Sequence, residues 1–173
     1  ATIFRDLLKR PGAMRGRLIL LNNLALCLVR NDELDEAEKL LTEAFTLSKS
    51  SFQPVVGWRL HFVKALLDTK KGNLDSAEEA IEKAETMARK NRDAAEAQAH
   101  LDSALANIRF KQNRFDEAGE QLLAAVDIDP NKPLLRKLYF RLLFGKKKFK
   151  EAGVHLKALG NIISSNARYP SSR

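Results

Sequence analysis

The chain of 173 residues contains three histidines, His61, His100 and His155, and one cysteine, Cys27. Metal or thiol chemistry would have to run through these four. No two histidines fall at the HExxH spacing that sets two imidazoles on one helix face over a zinc ion, and Cys27 has no histidine near it in sequence. Cys27 lies in the apolar stretch LALCLV and reads as a buried small hydrophobe rather than a nucleophile. The segment GKKKFK around Gly145 lacks the spacing of a phosphate-cradling loop. Asp127, Asp129 and Asn131 resemble the start of a calcium loop, but Lys132 stands where that loop needs glycine and Leu138 where it needs glutamate. The remaining Asp and Glu pairs fall on outward helix faces as solvated charges. The expectation is a protein that is not an enzyme, with no catalytic residue, no cofactor and no bound metal.

Charge is the more informative chemistry. The net charge is +8, and it is unevenly spread. Residues 131–173 hold eleven Lys and Arg against Glu151 alone, a net of +10, while residues 1–130 are slightly acidic at −2. Lys146, Lys147, Lys148 and Lys150 form the densest patch. Such a segment attracts phosphate backbones, acidic peptides or anionic lipid heads, and charge alone does not choose among them. The apolar stretches LILL and LALCLV are broken by Asn22, Asn23 and Arg30, well short of the roughly 20 residues a bilayer requires. An unpaired cysteine and a start unlike a signal peptide favour a reducing compartment, the cytoplasm, or the nucleus if the cell is eukaryotic.

The elements that would position these groups repeat. NDELDEAEKLLTEAF, KGNLDSAEEAIEKAE, QNRFDEAGEQLLAAV and KKKFKEAGVHLKALG share one grammar, and aligning Ala37, Ala77, Ala118 and Ala152 gives offsets of 40, 41 and 34 residues. Seven residues further stand Ala44, Ala84, Ala125 and Leu159. Two helical turns separate the members of each pair, so both lie on one stripe where a small side chain lets another helix approach. A second helical pattern precedes each segment: LILLNNLALCLVR, VVGWRLHFVKALLDTKK, AEAQAHLDSALANIRFKQ and PLLRKLYFRLLF. Short polar turns at Asn31-Asp32, Gly72-Asn73, Gln112-Asn113 and Gly145-Lys146 join them. The unit is a helix hairpin, and hairpins repeated at this period imply stacking into an α-solenoid.

The paired-helix grammar, the small residue early in each second helix and the Asp129-Pro130 that closes a repeat resemble tetratricopeptide repeats over roughly residues 18–160. The string NNLAL with its 40-residue period is similar to the repeats of kinesin light chains and of bacterial peptide-sensing regulators. The fourth unit is shorter and has bulky Tyr139 and Phe140 where smaller residues are expected. The resemblance implies an all-α, tetratricopeptide-like solenoid of about four hairpins over residues 17–160, after an N-terminal helix or cap at 1–16 and before a polar tail at 161–173.

The resemblance also implies a function: an adaptor or scaffold subunit whose first helices line a concave groove. By register that groove takes Asn22, Asn23 and Arg30 from the first hairpin, and Arg59 and Lys70 from the second. The third supplies His100, Asn107 and Lys111, and the fourth Lys137 and Arg141. Asparagine amides can pair with an extended backbone and the cations favour acidic side chains, so the expected ligand is an extended, acidic segment of a protein partner. Alternatively these are ordinary solvated face charges. The carboxylate clamp of chaperone-tail adaptors is not reproduced, since Leu26 and Phe62 stand where polar groups would be needed. Trp58 and Phe62, one turn apart, either stack on a ligand or, as more often at that spacing, pack in the core. Phe149 shares the register of Leu34, Leu74 and Phe115 and is expected to be buried with them. A second function class is a nucleic-acid-associated, RNA-binding subunit using Lys146, Lys147, Lys148 and Lys150. No membrane association is expected, and uncapped solenoid ends would allow homodimerisation or docking onto neighbouring subunits.

Overall fold

The computed structural model describes residues 6, 14–50, 54–89, 94–128, 133–148, 150–155 and 157–158. Apart from Asp6, the expected cap at 1–16 is described only from Met14, and the tail at 161–173 lies outside the described residues. Every element among the described residues is helical: α1 (Met14–Arg30), α2 (Leu34–Ser50), α3 (Pro54–Lys71), α4 (Leu74–Ala88), α5 (Ala94–Lys111), α6 (Phe115–Ile128) and α7 (Pro133–Gly145). Residues 150–155 begin a further helical segment. The chain divides into two compact units, Ala1–Ala97 and Gln98–Arg173.

One backbone device makes all four hairpin turns. The residue five places before each hairpin alanine has a left-handed backbone: Asp32 (φ 62°), Gly72 (84°), Asn113 (63°) and Lys147 (59°). The next amide reaches back to the carbonyl five residues earlier, Glu33 to Leu28 (3.0 Å), Asn73 to Asp68 (2.9 Å), Arg114 to Arg109 (2.8 Å) and Lys148 to Leu143 (2.9 Å). This is the Schellman closure, which satisfies carbonyls that the end of a helix would otherwise leave open. The same residue's own carbonyl then accepts the amide of the hairpin alanine: Glu33 from Ala37, Asn73 from Ala77, Arg114 from Ala118 and Lys148 from Ala152. Five residues thus end one helix and begin the next with the backbone's polar groups paired.

The four aligned alanines are buried to within 1%, as their register requires. Ala44 and Ala84 are also fully buried, while the side chains of Ala125 and Leu159 fall outside the described set. Twelve residues before the hairpin alanine, Ala25, Ala65 and Ala106 are buried at 0%. Phe140 takes that place in the fourth hairpin and is only half-buried.

In each unit one core cluster joins a hairpin to the first helix of the next. In the first unit, Leu21, Leu28 and Val29 of α1 and Leu41 of α2 cluster with Val56, Leu60, Val63 and Leu67 of α3. In the second, Ala106 of α5 and Ala118, Leu122 and Val126 of α6 cluster with Leu142 of α7, with Phe110, Leu138 and Tyr139 against them. Val63 and Leu138 are register equivalents, as are Leu67 and Leu142. A lone hairpin leaves one apolar stripe uncovered, and the helix that follows covers it. Where α3 meets α4, Gly57 leaves room for the Met87 thioether, which would lie 2.9 Å from an added Cβ.

Candidate functional site

In the second unit, α5, α6 and α7 leave a cavity of about 190 Å3 between them, lined by Ala106, Asn107, Phe110, Lys111, Leu122, Leu138 and Arg141. Its floor is apolar. Its polar groups come from Asn107 and Lys111, four residues and so one turn apart on α5, and from Arg141 on α7. Asn107 and Arg141 both stand eleven residues before their hairpin alanine, so the stacking that covers the apolar stripe also sets them on one side. Three of the ten expected groove residues are brought together here. Lys111 and Arg141 are exposed, and Asn107 is half-buried. Lys137, also on α7, is exposed and does not line the cavity; His100 is half-buried on α5.

In the first unit the expected groove residues are more dispersed. Asn22 is 4% exposed, and its amide donates to the Asn23 side chain at 3.4 Å. Arg30 is exposed at the end of α1. The Arg59 guanidinium lies 4.5 Å from the Trp58 ring centroid, a cation–π contact. Lys70 is committed to the Asp32 carboxylate of the first turn. Trp58 itself is 4% exposed, with its ring centroid 6.4 Å from that of Phe62, so it belongs to the core rather than to a ligand platform.

Of the basic patch, Lys146 pairs with Asp116 across the α6–α7 step, and Lys148 lies 3.6 Å from Glu151. The Lys146 ammonium holds the Asp116 carboxyl below its ordinary range. Both lysines also line a second hollow of about 310 Å3, with Asp116, Glu120, Leu123 and Tyr139. Lys147 and Lys150 are exposed. The Phe149 expectation lies outside the described residues. Its register equivalent Phe115 is 39% exposed, its ring edge-on to Phe110 at 5.3 Å, while Leu34 and Leu74 at the same position are half-buried. Cys27 is partly buried, less enclosed than its apolar neighbours Leu24 and Leu28.

Two buried carboxylates escaped sequence reasoning. Asp68, 2% exposed, accepts hydrogen bonds from Ser76 (2.8 Å) and Lys64, bracing the second turn. Asp102, 4% exposed, accepts from the Gln98 amide at 2.9 Å. The Gln121 amide, oriented to donate, reaches Asp102 at 2.9 Å and takes a hydrogen bond from Arg109 at 3.3 Å. Burial pushes the Asp102 carboxyl up. Only the i, i+4 spacing of Gln98 and Asp102 hints at this network in the sequence. Among the described residues no three His, Cys, Asp or Glu side chains gather as a metal site, and no helix is long and apolar enough to cross a membrane.

Residues 59–91 and 103–132 match the family model for the tetratricopeptide repeat. The chain carries tetratricopeptide repeats over these two stretches and folds as an all-α solenoid. The solved structure of the MamA RS-1 ArsTM double mutant is similar to it, with a TM-score of 0.63 and 15% identity over 95% of each chain. At that identity the likeness is one of fold. No curated protein matches the sequence. Tetratricopeptide repeats generally mediate protein–protein interaction or scaffolding, and proteins of this fold are typically non-enzymatic.

Proposed function

We propose that this chain is a non-enzymatic interaction module that binds an extended, acidic segment of a partner protein, with the α5–α7 cavity as its anchoring point. The observation that carries the reading is the convergence of Asn107, Lys111 and Arg141 on one apolar-floored cavity. An amide there can pair with a peptide backbone, and two cations can take carboxylates in charge-assisted hydrogen bonds. The apolar floor adds burial for a neighbouring side chain and lowers the local dielectric, which strengthens those bonds. Because the cations stand on packed helices, ordering falls mainly on the ligand.

The test is a pull-down from the native cell followed by titration of the captured segment. Lys111→Glu with Arg141→Glu should weaken binding by at least about 100-fold, roughly 1.4 kcal/mol per reversed charge, with the helical circular dichroism unchanged. Unaltered affinity in a folded double variant would remove the cavity from the binding site. Arg59→Glu, in the first unit, asks whether the segment extends beyond the cavity; full retention of affinity would confine it to the second unit.

A further inference from the structure

In the first hairpin, the positions five and two residues before Ala37 are Asp32 and Asp35, and both receive the second hairpin's lysines. Lys70 pairs with Asp32, and Lys71 lies 3.7 Å from Asp35 and 2.7 Å from Glu38. The third hairpin repeats the arrangement with Asp116, which takes Lys146. In both of these steps a lysine of the arriving turn is set against the carboxylate two residues before the receiving alanine. In the fourth hairpin the two receiving positions, five and two before Ala152, are Lys147 and Lys150. The sign is reversed. Both are exposed, and neither is within ion-pair distance of a carboxylate among the described residues.

The apolar part of the receiving face is also unlike the others. Eight residues before the hairpin alanine, Val29 is 2% and Thr69 4% exposed and Phe110 is half-buried, whereas Phe144 is 56% exposed. Its ring packs on Phe140, centroids 5.8 Å apart, and its carbonyl accepts the Lys147 amide at 3.0 Å. Two aromatic rings thus adjoin the turn that carries the unreceived lysines.

We infer that the Phe140–Phe144 face, rimmed by Lys147 and Lys150, is a docking surface separate from the α5–α7 cavity, and that its occupant is an acidic amphipathic helix of a partner protein. The rings offer apolar area to one face of such a helix, and the lysines match carboxylates along its edge. Charge complementarity favours this occupant over the others. Residues 159–173 of this chain hold two arginines and no Asp or Glu. A hairpin of the type that seats on the first would bring basic side chains like Lys70 and Lys71. A second copy seating its first hairpin would set Arg30, the register equivalent of Lys70, against Lys147.

The probe is a fluorescent helical peptide of about 18 residues, with a Leu/Phe face and Glu flanks, titrated by anisotropy into the full chain. Phe144→Ser, and Lys147→Glu with Lys150→Glu, should each weaken it at least about tenfold. Lys111→Glu with Arg141→Glu should change it by less than about twofold. These are surface substitutions, and thermal melts verify that each variant is folded. Four results would overturn the inference: face variants that bind like the parent, loss of binding in the Lys111/Arg141 variant alone, equal binding of a peptide of the same charge scrambled to remove its apolar face, and displacement by an oligouridylate that binds more tightly. A concentration-dependent dimer in sedimentation velocity, lost in Phe144→Ser, would instead assign the surface to a second copy.

Discussion

His61 stacks against Phe45 with centroids 5.0 Å apart, and burial, with the Lys83 cation adding to it, holds its imidazole below the ordinary histidine range. His155, edge-on to Tyr139 at 4.6 Å, is lowered for the same leading reason. A histidine whose folded value is depressed favours the neutral ring. Its contribution to stability is complete above the unfolded value of about 6.5 and is lost as pH falls through the folded one. Asp102 behaves oppositely: its raised carboxyl favours the protonated form, so the fold gains from it at low pH and loses that gain as pH rises through the folded value. Urea melts should therefore show stability falling between about pH 7.5 and 5.5, and His61→Gln should flatten that fall. An equal slope in the variant would show that protonation of His61 is not coupled to unfolding. Asp102→Asn should remove the high-pH cost while keeping an acceptor for Gln98, whereas Asp102→Leu should lose about 1–3 kcal/mol by stranding the Gln98 amide.

The hairpin turns place a left-handed residue at one register position, and three of the four occupants bear a Cβ that this conformation crowds. Replacing Lys147 by Gly should stabilise the fourth hairpin by about 1 kcal/mol, and Gly72→Ala should destabilise the second by a similar amount; reversible melts of the two variants should move in opposite directions. Overfilling the close helix contact is costlier: Ala118→Leu should lose about 1–3 kcal/mol. The hairpins themselves were legible in the sequence because the buried alanines recur with a period that only helix packing explains. The turn device was not, because its left-handed position is marked by Gly only once and elsewhere by Asp32, Asn113 and Lys147, which look like ordinary polar turn residues. Phe115 misled for a related reason, since helix periodicity assigns a stripe but does not reveal how far each residue on it is covered. Asn107, Lys111 and Arg141 were legible as neighbours because register alone decides which first-helix residues align. The burial of Asn22 was not, since it stands one residue off the stripe that carries Asn23.

The basic character of the chain is concentrated in residues 131–173, yet part of it is already answered within the molecule. Lys146 and Lys148 have carboxylate partners, while Lys147 and Lys150 face solvent. Retention on a heparin column should fall more for Lys147→Gln and Lys150→Gln than for Lys146→Gln, because the Lys146 ammonium is already engaged by Asp116 and offers the polyanion less free charge. Equal effects would mean that the column senses net charge rather than these two side chains. The division into two units gives the chain an internal spectroscopic contrast. Its single tryptophan, Trp58, is buried within residues 1–97, so indole emission follows the melting of that unit alone. Far-ultraviolet ellipticity weights every helix. Coincident curves from the two signals would mean that the units unfold in one step, and any temperature gap between them measures how far one unit outlives the other.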